Sequence, residues 1–254
     1  MTAPPHSWRI RAVQFGAVAL VAALWEFAPR LGLADPTLLP PFSEVLKQLI
    51  TLLSEGSVMK DLAITASEVA LAFAIVAPLG VGCGLLLAEN DYIGRVFKPF
   101  FYFLASVPKS VFLPAFILLF GIGFGQKVAF GVFQAIFVLV ISTVAAVTSV
   151  EPELVKLARA YGASRARIYA EIYWPSMLPF IVEGMRLGVI FSITGVVFAE
   201  MAVARAGMGA RIATWGQTFQ MPDLYAGVLL VSLLSITVNE ALRAYERKVG
   251  KWRG

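Results

Sequence analysis

The amino-acid sequence predicts an all-α integral membrane protein with about six transmembrane helices. Three observations carry that expectation. The 254-residue chain is 59% hydrophobic and only 15% charged, against roughly 45–50% and about 25% in soluble domains. Apolar runs near the ~20 residues that cross a bilayer recur along its length. Its 21 Lys and Arg residues gather in alternate connecting segments, as retention of positive charge on the cytoplasmic side requires. The net charge of +5 follows from that retention and by itself points to no ligand. Cys83 is the only cysteine and His6 the only histidine, so the chain has no disulfide framework, no zinc spacing and no Cys/His or Ser/His catalytic pair.

The first span is VQFGAVALVAALWEFA, residues 13–28, behind Arg9 and Arg11. A basic start before an apolar run also describes a signal peptide, but no small-x-small cleavage site follows, and Trp25 and Phe27 suit interface anchors. Prolines and Asp35 then break the pattern. Ser43 is placed to cap a short helix with Val45, Leu46, Leu49, Leu52 and Leu53 on one side, within an extracytoplasmic segment over residues 35–60. The second span runs from Ile64 to Ala88. Residues 97–124 contain Pro99, Pro108, Lys109 and Pro114, which predicts a broken helix entering near Phe100 and leaving at FGIGFG. Irregular backbone at that depth must be covered by protein or line a cavity. The fourth, fifth and sixth spans are Val128–Val147, Leu178–Met201 and Leu224–Leu242.

Six spans place both termini on one side. With that side inside, the inner segments hold 13 Lys/Arg and the outer ones, including Lys127, Arg205 and Arg211, hold 6; Lys109 and Arg186 fall within spans, which accounts for all 21. This distribution predicts cytoplasmic termini and a cytoplasmic loop over residues 150–177.

That loop contains LARAYGASRARIY, residues 157–169, which has the outline of a helix-turn-helix. Leu154, Leu157, Ala158 and Tyr161 recur at i, i+3, i+4 and i+7, one helical stripe. Gly162 is placed to end the helix in a left-handed conformation. Ser164 is placed to cap a second helix, on which Ile168 and Ile172 share a face before Pro175 ends it. The stripes either pack on the bundle or dock into a partner. A DNA-binding role is disfavoured, because a module tied at both ends to spans has little reach and four Lys/Arg give a weak electrostatic footprint.

The stretch KLARAYGASRARIYAEIYWP resembles the cytoplasmic loop motif of ABC-importer permeases, with Ala158, Gly162, Ile172 and Pro175 in register. Lys156, Leu157 and Trp174 depart from the motif's Glu, Ala and Leu. LLPPFSEVL, ASVPKSVFLPAFILLFGIG, GVVFAEM, GMGARIATWGQTFQMPDLYAGVLL and the tail ALRAYERKVGKWRG extend the resemblance to the nitrate/sulfonate/taurine branch from about residue 35 onward. The resemblance implies a type I ABC importer permease (MetI-like) fold forming one transmembrane permease domain over 1–254. It implies a non-catalytic subunit that acts with a second copy of itself, two ATPase subunits that bind ATP and Mg, and an extracytoplasmic solute-binding protein, with no cofactor or metal in this chain and no nucleic-acid partner. The ATPase-coupling residues it implies are Lys156, Leu157, Ala158, Tyr161, Gly162, Ala163, Arg165, Ile168, Ile172 and Pro175. Its solute class is a small anion such as nitrate, a sulfonate or a carboxylate, or a thiamine-precursor-like molecule.

The residues agree by omission, since no GxxxxGK[ST] phosphate loop exists and GIGFGQKV lacks the required ending. Arg186, Ser192, Thr194 and Glu200 are candidates to line a pathway, because ionisable groups within spans default to protein-facing positions. Glu183 and Arg186 are spaced to pair with each other, and the two hydroxyls to bond back to their own helix. Gly184 and Gly188, and the Gly80, Gly82 and Gly84 cluster, suit either a dimer seam or packing within one bundle. No convergent set of donors for an anion is visible. An ion-coupled secondary transporter is the rival reading, but no inverted repeat relates the two halves.

Overall fold

The computed structural model describes residues 7–250, which are helical almost throughout and contain no strand. Lys251 and Arg253 of the basic tail, and His6, lie outside the described residues. The chain forms two compact units, one from the residues up to Lys60 with Arg211–Val231, the other from Asp61–Ala210 with the chain from Ser232 onward.

The first unit holds α1 (Ser7–Arg30) and α2 (Phe42–Ser54), the opening of α3 (Gly56–Glu89), most of α10 (Met208–Gln217) and the start of α11 (Met221–Gly250). α1 turns Phe15, Val18 and Leu24 outward, the surface expected of a helix solvated by lipid rather than water. Trp25 does not serve as a free interface anchor. Its indole N–H donates to the Pro40 carbonyl at 3.1 Å, and its ring packs on Phe42 and Tyr225 at 5.3 and 5.6 Å. Ser43 does not cap α2 either. Pro41 holds the cap position with no side-chain bond, and the Ser43 amide and hydroxyl both donate to the Glu26 carboxylate, at 2.8 and 2.9 Å. A hydroxyl offered an ionised acceptor makes the stronger bond there. Before α2, the Thr37 hydroxyl and then its amide hold the Asp35 carboxyl below its ordinary range. α10 is a helix the hydropathy pattern does not predict; Trp215 on it presses so close to Gly227 of α11 that an added Cβ would lie 2.7 Å from the ring.

The second unit is built around α6 (Phe124–Thr148) and α9 (Trp174–Val203), with α3, α4 (Asp91–Ser106) and α5 (Leu113–Phe120) beside them. Small residues let the two central helices approach. An added Cβ at Gly195 would sit 3.0 Å from the Gly131 Cα, and one at Gly184 would sit 2.6 Å from Ser142. Gly80 meets Leu139 and Gly84 meets Thr143 in the same way. Gly80, Gly84 and Gly184 thus pack inside the bundle, Gly188 makes ordinary contact with Leu139, and Gly82 meets nothing within 4 Å.

Among the described residues, five helices are long and apolar enough to cross a membrane, and the α4–α5 pair makes six when it is taken as one span bent by 92°. The broken segment begins earlier than the sequence suggests, since the Asn90 side chain accepts the Ile93 N–H at 3.0 Å and starts α4 at Asp91. Arg95 and Lys98 therefore lie on a helix rather than in a loop. Past the break at Val107 and Pro108, a 3-10 turn Lys109–Phe112 leads into α5. The Lys109 ammonium donates to the Ala105 carbonyl at 3.2 Å and lies about 6 Å from the Phe137 and Phe191 ring centres. Pro114 within α5's first turn needs no N–H, which is why the helix can restart there.

Candidate functional site

Two constellations sit at opposite ends of α6 and α9. The first is the corner between them. α7 (Pro152–Ala160) ends at Gly162, whose φ of +78° is the left-handed value expected. The Gly162 N–H donates to the Arg159 carbonyl and the Ala163 N–H to the Ala158 carbonyl, both at 3.0 Å. This paired closure satisfies carbonyls that the helix end would otherwise orphan. Ser164 then caps α8 (Arg165–Ile168) by accepting the Arg167 N–H.

The expected single stripe on α7 is in fact divided. Val155 and Ile168 are buried, and Ala158, Ala163 and Ile172 pack with them against Ala146, Met177 and Ile181 of the bundle. Leu157 and Tyr161 point the other way, 56% and 85% exposed, with Leu154 beside them. Together with Glu171, Ile172 and Ser176 they border a shallow concavity of about 290 Å³. Lys156 and Arg165 are exposed.

Pro175 does not end the second helix. A π-helical turn, Tyr169–Tyr173, carries the chain straight into α9, and the Trp174 N–H donates to the Tyr169 carbonyl five residues back. The wider turn and the position of Pro175 in the first turn of α9 remove the clash and the missing donor that stop a helix at an interior proline. α8, the π turn and α9 are thus one continuous helical path.

The second constellation lies at the far ends. α6 has 25 residues, so at ~1.5 Å per residue it separates the two by about 37 Å. Here Glu68 of α3 is fully buried and forms an ion pair with Lys127 of α6. Glu200, at the end of α9, is also fully buried. The Thr65 hydroxyl donates to it at 2.8 Å and accepts the Met208 N–H at 2.9 Å; the Gly209 N–H donates to Glu200 at 2.8 Å. Asp61 accepts the Gly207 N–H at 3.0 Å. A carboxylate set on the first N–H groups of α10 is favoured by both hydrogen bonding and the helix dipole. Gly207, at φ +109°, leaves no room for a side chain, because an added Cβ would overlap the Glu200 carboxylate.

Beside this clasp is a cavity of about 480 Å³ whose lining includes Gln126, Lys127, Arg205 and Ala206. Gln126 is 1% exposed, and neither atom of its amide has a partner.

Of the candidates read from the sequence for a pathway, Glu200 belongs to the clasp, but Arg186, Ser192 and Thr194 do not converge. Arg186 is engaged by Glu183 at 2.6 Å and Asn239 at 3.0 Å. Thr194 bonds back to Ile190 at 2.9 Å and faces outward. Ser192 is buried and its hydroxyl has no partner, contrary to the expected back-bond. Glu68, Thr65, Gln126 and Lys127 are absent from that reading. The overlooked signal was a glutamate inside an apolar run, which demands a partner. Lys127 was hidden because α6 starts at Phe124, inside the glycine-rich stretch read as an outer loop.

Residues 78–251 match the family described as binding-protein-dependent transport system inner membrane component. The chain is 27% identical to the taurine transport system permease protein TauC of Escherichia coli K12, over 95% of this chain and 90% of that protein. It is 27% identical to the putative aliphatic sulfonates transport permease protein SsuC of Bacillus subtilis 168, over 92% and 85%. A chain of the MetNI methionine ABC transporter in an inward-facing conformation superposes with a TM-score of 0.61 at 19% identity, over 85% of this chain and 99% of that one. At that identity the likeness is one of fold.

Proposed function

Because the chain belongs to the binding-protein-dependent transport system inner membrane components, as an ABC importer permease of the nitrate/sulfonate/taurine branch, we propose that it forms the translocation path for a small organic anion, a sulfonate first. ATP and Mg act in a separate cytoplasmic ATPase, two copies of which dock on two copies of this chain, and an external binding protein delivers the solute. The whole chain works as one permease domain, with residues 35–60 outside and 150–177 inside. The observation that carries this is the exposed trio Leu154, Leu157 and Tyr161 on a corner whose inner side is already packed. Exposed apolar residues rimmed by charge mark a partner site, and the Gly162 turn joins that site to α8, which runs without a break into α9. Lys156, Arg165 and Pro175 are exposed on the same loop. Reconstituted uptake of taurine should require the added ATPase and binding protein; uptake by this chain alone, driven by an ion gradient, would refute the reading.

Orientation has its own test. Single cysteines replacing Arg165 and Glu55, both exposed, in a Cys83→Ala background should be labelled by an impermeant thiol reagent from opposite sides of the membrane. Labelling of both from one side would overturn the topology.

A path that must release its cargo binds it weakly. The purified permease should therefore bind taurine no more tightly than about millimolar, roughly 4 kcal/mol, by equilibrium binding in nanodiscs. A micromolar dissociation constant would move recognition from the binding protein into this subunit.

A further inference from the structure

The cavity beside the clasp has the chemistry of an anion site. Gln126 is buried at its wall with both amide atoms unpartnered, a costly arrangement unless something else uses them. Gly123 and Phe124, on the same wall, start the 25-residue α6, and no side chain caps its first N–H groups. Such a terminus attracts negative charge. Arg205 stands exposed at the lining and has no hydrogen bond or ion pair among the described residues. Lys127 is the other cation on the wall, its charge met by Glu68, and no carboxylate lines the cavity. Gln126 with its unpartnered amide, an uncapped helix N-terminus and a guanidinium with no partner among the described residues border one space, a set of donors that suits the three oxygens of a sulfonate or the two of a carboxylate.

We propose that this cavity is a transit site for an oxyanion, held by the Gln126 amide, the first turn of α6 and Arg205 on its way from the binding protein into the path. The proposal rests on the importer reading above and adds to it the place where the anion first rests in the permease. The site is built for brief occupancy, because Arg205, the lining cation without a partner among the described residues, is open to solvent, where screening is strong.

A cysteine replacing Ala206, on the cavity wall, in a Cys83→Ala background reports occupancy without transport. N-ethylmaleimide labelling should slow about fivefold when sodium ethanesulfonate is present at about four times its dissociation constant, with ionic strength held constant. Dimethyl sulfone, an uncharged analogue of similar size, should give no protection. Arg205→Gln and Gln126→Leu should each abolish it, protection being the ratio of labelling rates without and with the anion in the same variant. Absence of protection, equal protection by dimethyl sulfone, or protection that survives both substitutions would overturn the site. ATPase-dependent taurine uptake, measured in parallel, separates the two readings. Intact uptake without protection removes the site and leaves the importer, whereas protection without ATPase-dependent uptake leaves an anion site and removes its transit role.

Discussion

Lys127→Met should destabilise the folded permease by about 3–5 kcal/mol, the cost of leaving a buried carboxylate without its counter-charge. The Glu68 side chain is fully buried and that of Lys127 is 8% exposed, so water cannot compensate the glutamate when the ammonium is removed. Replacing both members with neutral groups of similar volume removes the unpaired charge as well as the attraction. Glu68→Gln with Lys127→Met should therefore recover most of the loss. Reversible unfolding in detergent, monitored for the two single variants and the pair, completes a double-mutant cycle. Single losses of only ~1 kcal/mol, the range of exposed ion pairs, would mean that lipid headgroups or water reach this cluster and that it is not a sealed clasp.

Gly162→Val and Leu157→Asp should each abolish solute-stimulated ATP hydrolysis by the assembled importer, for different reasons. At Gly162 the backbone has φ +78° and an added Cβ meets no atom within 4 Å. The obstacle to valine is therefore conformational, roughly 1–2 kcal/mol of left-handed strain, relieved by swinging α7 off its docking angle. Gly162→Asn, which tolerates that region better, should retain most of the activity. Leu157 is 56% exposed, so aspartate there leaves the fold intact and puts a charge in the docking surface. ATPase co-purification should fall by roughly tenfold or more, a change of about 1.4 kcal/mol. If both variants couple normally, the corner is only a packing element.

The long spans and the corner were legible because their determinants are local. Twenty-odd apolar residues in a row specify a membrane helix wherever they fold, and Gly162 followed by Ser164 specifies a stop and a start within three positions. The clasp was not legible because its members are far apart in sequence. Nothing near Glu68 announces Lys127, and nothing near Thr65 announces Glu200 or the backbone N–H groups of Met208 and Gly209. Ser43 failed as a cap for a related reason, since its stronger partner, Glu26, comes from another helix. Pro175 misled in another way. The rule that proline stops a helix assumes α-helical spacing, and the π turn before it changes that spacing. Tertiary structure also split the α7 stripe, by turning Ala158 inward and Leu154, Leu157 and Tyr161 outward.

The Glu68–Lys127 pair also sets a schedule for synthesis. α3 leaves the ribosome carrying a glutamate, and the lysine that neutralises it follows roughly sixty residues later, an interval of about 3–12 s at ordinary elongation rates. During that interval an unpaired carboxylate raises the free energy of α3 in lipid, by about 2.5–3.5 kcal/mol were it at the centre of the span and less toward its end. The helix is therefore better accommodated with α6 beside it than alone. In a nascent chain arrested before Lys127, a cysteine placed in α3 should still crosslink to the insertion machinery, and in one arrested after α6 it should not. The charge pair that holds the finished bundle thus also gives its assembly an order, since α3 gains its counter-charge only when α6 is made.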